Sequence, residues 1–155
     1  MRRDRIFVPA LLVLLFGASC ASPNRIIHRN PAALSKPTGY THVVETSGGR
    51  TLYISGQVAL DKSGALVGAN NLKAQTRQVF ENLKAAVTES GGTLDDVVKI
   101  TIFMTDLSQV QDFREVRNEF FPYELPASTL VQVVRLARPE FLLEVEAVAV
   151  VKPRS

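Results

Sequence analysis

From Leu72 to Ser90 the apolar positions recur at three- and four-residue spacings, with Leu72, Thr76, Val79, Leu83, Ala86 and Val87 on one stripe. Residues three and four apart share a helix face, so this period predicts an amphipathic helix. Asn70 or Asn71 can cap its first unpaired N–H groups, and Gly91 can take the left-handed position past its end. A shorter stripe, Val110, Phe113, Val116 and Phe120, predicts a second helix over roughly Gln109 to Phe121, stopped by Pro122.

Around these helices the pattern changes to strands. "THVVET" (41–46) predicts a first strand closed by the Gly48–Gly49 turn. In "RTLYISGQVAL" (50–60), Leu52, Ile54 and Gly56 share one face, with Tyr53 and Ser55 on the other. A glycine inside that alternation predicts a bulge or a close backbone approach. Asp61 to Gly64 reads as a turn. "DDVVKITIFMTD" (95–106) is dense enough in Val, Ile and Phe to be buried on both faces for part of its length. Strands over Thr129–Leu136 and Phe141–Val151 complete the order ββαβαββ. That order predicts an α+β fold with two helices on one face of a mixed sheet. Val131, Val133, Val145 and Ala147 make the last strands too apolar for both sides to face water, so association between copies is expected to cover the sheet.

The first residues follow a different rule. "MRRDR" is basic, Ile6 to Phe16 is apolar, and "GASC" follows. The apolar run is well short of the roughly 20 residues that span a bilayer, and it suits a signal-peptide core. Small residues before a lone cysteine are similar to the bacterial lipoprotein box. Residues 1–19 are therefore expected to be a signal peptide, with Cys20 lipidated and the chain exported to the cell envelope. Ordinary cleavage after Ala18 or Ala21 is the alternative. The proline-rich stretch 20–38 reads as a tether, and 39–152 as the domain.

Composition narrows the chemistry. The chain has 155 residues, 46% hydrophobic and 21% charged, enough for one ordinary domain. Its single cysteine excludes an internal disulfide and a cysteine-built zinc site. The formal charge of +3 includes three arginines and one aspartate within residues 1–19, so the remainder is nearly neutral. No basic stripe with interleaved aromatics points to nucleic acid. Only His28 and His42 are present, which offers neither metal-ligand spacing nor an evident base to activate Ser128 as a nucleophile. No cofactor or metal is expected.

The stretches "YISGQVALDKSGALV", "QTRQVFENLKAAVTESGGTLDDVVKITIFMTDL" and "VVRL" followed by "LEVEAVAV" closely resemble the Rid family of reactive-intermediate deaminases, also called the YjgF/YER057c/UK114 family. The resemblance covers about Gly39 to Val150. It implies a chorismate-mutase-like fold and a homotrimer with clefts between subunits. In active members those clefts hydrolyse small imines or enamines to a keto acid and ammonia. The resemblance implies that Tyr40 lines the cleft, that Ser55, Gly56 and Gln57 shape its floor, and that Glu144 positions the attacking water. Where the family carries an arginine for the substrate carboxylate, this chain has Ser128, and Arg114 replaces an asparagine of the second helix. Arginine presents a permanent charge on a bidentate fork, whereas serine presents one neutral hydroxyl. Losing a charged partner in a partly desolvated cleft costs about 2–5 kcal/mol. Two readings follow: a Rid-like hydrolase with an altered substrate clamp, or a non-catalytic trimeric module that binds a metabolite or a protein at the envelope.

Overall fold

A computed structural model describes residues 24–153. The elements, in chain order, are β1 (Arg25–Arg29), β2 (Val43–Ser47), β3 (Arg50–Gln57), α1 (Leu72–Glu89), β4 (Val97–Met104), α2 (Val110–Phe120), β5 (Ala127–Gln132) and β6 (Leu143–Val151). The fold is α+β, as the periodicities predict. The expectations for residues 1–19 and Cys20 lie outside the described residues.

Four strands form one sheet in the order β3-β6-β4-β5, with β1 and β2 paired in a separate ribbon. β6 runs antiparallel to both neighbours, and β4 and β5 are parallel. A parallel pair needs a crossover, which α2 supplies. Both helices cover one face of the sheet. Phe80 of α1 is fully buried, with its ring centroid 6.0 Å from Phe113, 5.3 Å from Phe120 and 5.7 Å from Phe121. Burying one such side chain stabilises the fold by about 1.5–3 kcal/mol. Ile100, Ile102, Met104, Val145, Ala147 and Ala149 complete this layer from the sheet side.

The caps follow the sequence closely. Asn71 Oδ1 accepts from Ala74 N at 3.0 Å, and Gly91 adopts a φ of +84° after the C-cap of α1. Two expectations need correction. Within the stretch read as a tether, Arg25–Arg29 is a strand that pairs antiparallel with Val43–Ser47. Its Ile26–Ile27 pair is β-branched and finds a partner only once β2 is in place. The double burial expected for part of β4 is found at Val97 and Val98, beside a register shift between Val97 and Lys99. Beyond it, Lys99, Thr101 and Phe103 point to the uncovered face and are only half-buried. The strand expected over Thr129–Leu136 ends at Gln132, because its partner β4 ends at Met104.

Candidate functional site

Glu144 stands second in β6, where buried and less buried residues alternate. Leu143, Val145 and Ala147 face the helices, so Glu144, Glu146 and Val148 face the open side. On the neighbouring strand, the alternation of β3 breaks at a register shift between Ile54 and Gln57. Gly56 lies at this bulge, and the sequence expectation of a close approach is met. A Cβ at Gly56 would sit 1.8 Å from Glu144 Oε1 and 2.7 Å from its Cδ. The carboxylate therefore occupies the space that any other residue at position 56 would fill. Glu144 is half-buried and has no hydrogen-bond or ion-pair partner among the described residues. Gln57 Nε2 donates to Ser55 O at 3.0 Å, which holds the bulge from the other side.

Beside this group, Tyr53, Ser55, Lys99, Thr101, Glu146 and Val148 line a cavity of about 230 Å³ on the open face. Lys99 Nζ donates to Thr129 Oγ1 at 2.6 Å and to Ile100 O at 3.2 Å. Burial lowers its pKa, and the nearby Glu146 carboxylate acts in the opposite direction. Sequence reasoning passed over Lys99. The signal was the alternation within "VVKITIFM", which places Lys99, Thr101 and Phe103 on one face.

The remaining predicted residues lie at the opposite edge. Thr41 forms a parallel bridge to Ala127, its N–H donates to Pro126 O at 3.2 Å, and its Oγ1 donates to Leu125 O at 2.6 Å. These contacts lay the Gly39–Thr41 segment along the entry to β5. Tyr40 meets His42 edge-on, with ring centroids 5.1 Å apart. Ser128 pairs in register with Ile100, a fully buried residue of the helix-side layer. Its side chain belongs to that face, not to the face that carries Glu144. Two arginines of α2 also reach this edge; the sequence offers them, with Arg135 and Arg138, as substitutes for the clamp arginine but cannot aim them. Arg117 is 4% exposed, and its Nη1 donates to Gly39 O at 2.6 Å. Arg114 lies close enough for its charge to be felt there.

The structure thus assembles two groups. Ser55, Gly56, Gln57 and Glu144 meet around β3 and β6, while Tyr40 and Ser128 sit at the β5 edge. In the order β3-β6-β4-β5, the outer strands are three spacings apart, about 14 Å. One chain does not bring the two groups together.

A family model described as Endoribonuclease L-PSP matches residues 30–151. The chain belongs to the Rid/YjgF/L-PSP family. A RutC family protein of Pyrococcus abyssi is 36% identical over 115 residues, covering 74% of this chain and 88% of the relative. Among solved structures, the Rid family protein YyfB of Yersinia pestis, whose function is described as unknown, is 35% identical with a TM-score of 0.74. That match covers 83% of this chain and 98% of the other. RidA of the Antarctic bacterium Psychrobacter sp. PAMC 21119 is 36% identical, with a TM-score of 0.62 over 76% of this chain and 92% of its own. The family model begins at residue 30, ahead of Gly39, where the resemblance in the sequence begins.

Proposed function

We propose that this Rid family protein hydrolyses small imines or enamines in a cleft closed between copies of a homotrimer. The observation that carries the reading is the fit of the Glu144 carboxylate into the space left by Gly56. A half-buried carboxylate with no partner of its own is suited to orient a water molecule for attack on a C=N carbon. Water adds to that carbon to give a carbinolamine, its nitrogen takes up a proton, and collapse expels ammonia and leaves the carbonyl product. The Tyr40–Ser128 group of a neighbouring copy forms the facing wall, which explains why one chain holds the two groups apart. Ser128 contributes a hydroxyl and no charge to that wall, so the usual imino-acid substrates receive no charged contact from the strand itself. No metal or cofactor enters this reading.

Ammonia release from freshly generated amino-acid imines, measured by a coupled assay, tests the reaction. Release by the parent protein should fall about 10²- to 10⁴-fold in Glu144→Ala. Ser128→Arg adds a charge on the strand and should improve kcat/KM for carboxylated imines several-fold. The neutral Ser128 favours a second reading, a non-catalytic trimeric binding module. Bound ligand without ammonia release in any variant would select that module.

The N-terminal pattern supports export, with residues 1–19 removed and Cys20 carrying the lipid that anchors the chain in the envelope. Metabolic labelling with radioactive palmitate checks this. Label should enter the parent chain and be absent from Cys20→Ala; equal labelling of both would remove the anchor from the proposal.

A further inference from the structure

Helix α2 carries three acidic and two arginine side chains, and its acids are already engaged. Lys73 of α1 reaches Glu115 at 2.6 Å and Asp112 at 3.4 Å, and Arg77 reaches Glu119 at 2.7 Å. Arg114 and Arg117 have no carboxylate within 4.0 Å among the described residues. Arg117 is also buried, at 4% exposure, where a charge is costly unless an anion accompanies it. Desolvation lowers its pKa, and the positive charge of Arg114 pushes the same way. The fold nonetheless keeps the cation in place. Gly39 has a φ of +96°, and a Cβ there would lie 2.9 Å from Arg117 Nη2. Arg117 Nη1 holds Gly39 O, and Nη2 donates to Asn118 Oδ1 at 2.9 Å, so each terminal nitrogen has a second N–H to offer. The half-buried Arg114 lies one turn away.

These positions matter because the segment held by Arg117 runs into Tyr40 and Thr41, and Thr41 bridges to Ala127 beside Ser128. We propose that Arg114 and Arg117 form an anion subsite at the β5 edge, which takes the carboxylate of a small organic acid. Arg114 makes the contact that reaches solvent. Arg117, fixed beneath it, adds a second charge and holds the Gly39–Thr41 segment that frames the subsite. The positive charge expected on the strand at Ser128 is supplied from the helix instead. This inference rests on the reading of the β5 edge as one wall of the ligand cleft.

Titration calorimetry with pyruvate and with neutral pyruvamide tests it on the whole protein. Pyruvate should bind at least tenfold more tightly than pyruvamide, and its affinity should fall as salt is raised. Arg114→Gln should weaken pyruvate at least tenfold while leaving pyruvamide unchanged, and Arg114→Lys should recover part of the loss. Arg117→Lys, with folding checked by circular dichroism, should also weaken pyruvate. Equal affinity for the two probes, or unchanged pyruvate affinity in Arg114→Gln, would overturn the proposal. So would dissociation of the assembly in Arg114→Gln with pyruvate binding intact, because the arginines would then serve a subunit contact. Ammonia assays separate this failure from that of the proposed reaction. Selective pyruvate binding without ammonia release removes the reaction alone, and release with no dependence on Arg114 removes the subsite alone.

Discussion

At the scale of single residues, the contact between Gly56 and Glu144 has the clearest consequence. A methyl group at position 56 would meet the far end of a flexible side chain, with its nearest atom Glu144 Oε1 at 1.8 Å. The glutamate can swing away at modest cost to the fold, but it cannot then hold its present position. Gly56→Ala should therefore melt within a few degrees of the parent and yet lose at least tenfold in ammonia release. Equal losses of stability and activity would indicate that the bulge itself had failed. Activity at the parental level would show that the carboxylate position is not critical. The glycine was legible because it interrupts a clean alternation, and Glu144 because its strand alternates so regularly. Arg117 was legible only as one of several arginines that could replace the clamp, and not as a buried one. Its spacing places it on a helix of ordinary polar composition, and only the tertiary fold shows that it is buried against Gly39.

Elements were legible where one pattern ran long enough to establish its own period. The two helices fall within a residue or two of their expected bounds, because each carries a full apolar stripe and a stop. The strand β1 was hidden for the opposite reason. "RIIHR" is five residues long, lies between prolines, and has no buried face of its own. It becomes a strand because β2 supplies the partner for its backbone groups, while Asn24 just before it donates to Val150 O at 2.7 Å. A similar dependence on partners shortens β5, whose apolar sequence continues past Gln132 although its partner does not. Val134 accordingly stands fully exposed. The division of the site has the same origin. Sequence order places Ser128 and Glu144 only 16 positions apart, but pairing with Ile100 turns Ser128 to the helix side while the phase of β6 turns Glu144 to the other.

At the scale of the whole molecule, the sheet has one covered face and one uncovered face, and the uncovered one is not built for water throughout. Tyr53 is 84% exposed, Val131 is 38% exposed, and Phe103 and Val148 are half-buried beside them. Lys99 and Glu146 stand among these apolar groups. A homotrimer that buries this face would cover the apolar residues and bring the Glu144 group of one copy toward the Tyr40–Ser128 group of the next. Val148 is the position to test, because it lies opposite Tyr53 on one side and Lys99 on the other. Val148→Lys sets a second ammonium beside Lys99 at the centre of the face, where like charges repel with little water to screen them. Sedimentation of the parent should give the mass of a trimer, and that of Val148→Lys a monomer with unchanged secondary structure. Ammonia release should disappear with the trimer, although residue 148 is outside the Gly56–Glu144 contact. A monomeric parent that still releases ammonia would remove the intersubunit cleft from the proposal. A trimeric Val148→Lys protein would mean that the copies associate through another surface.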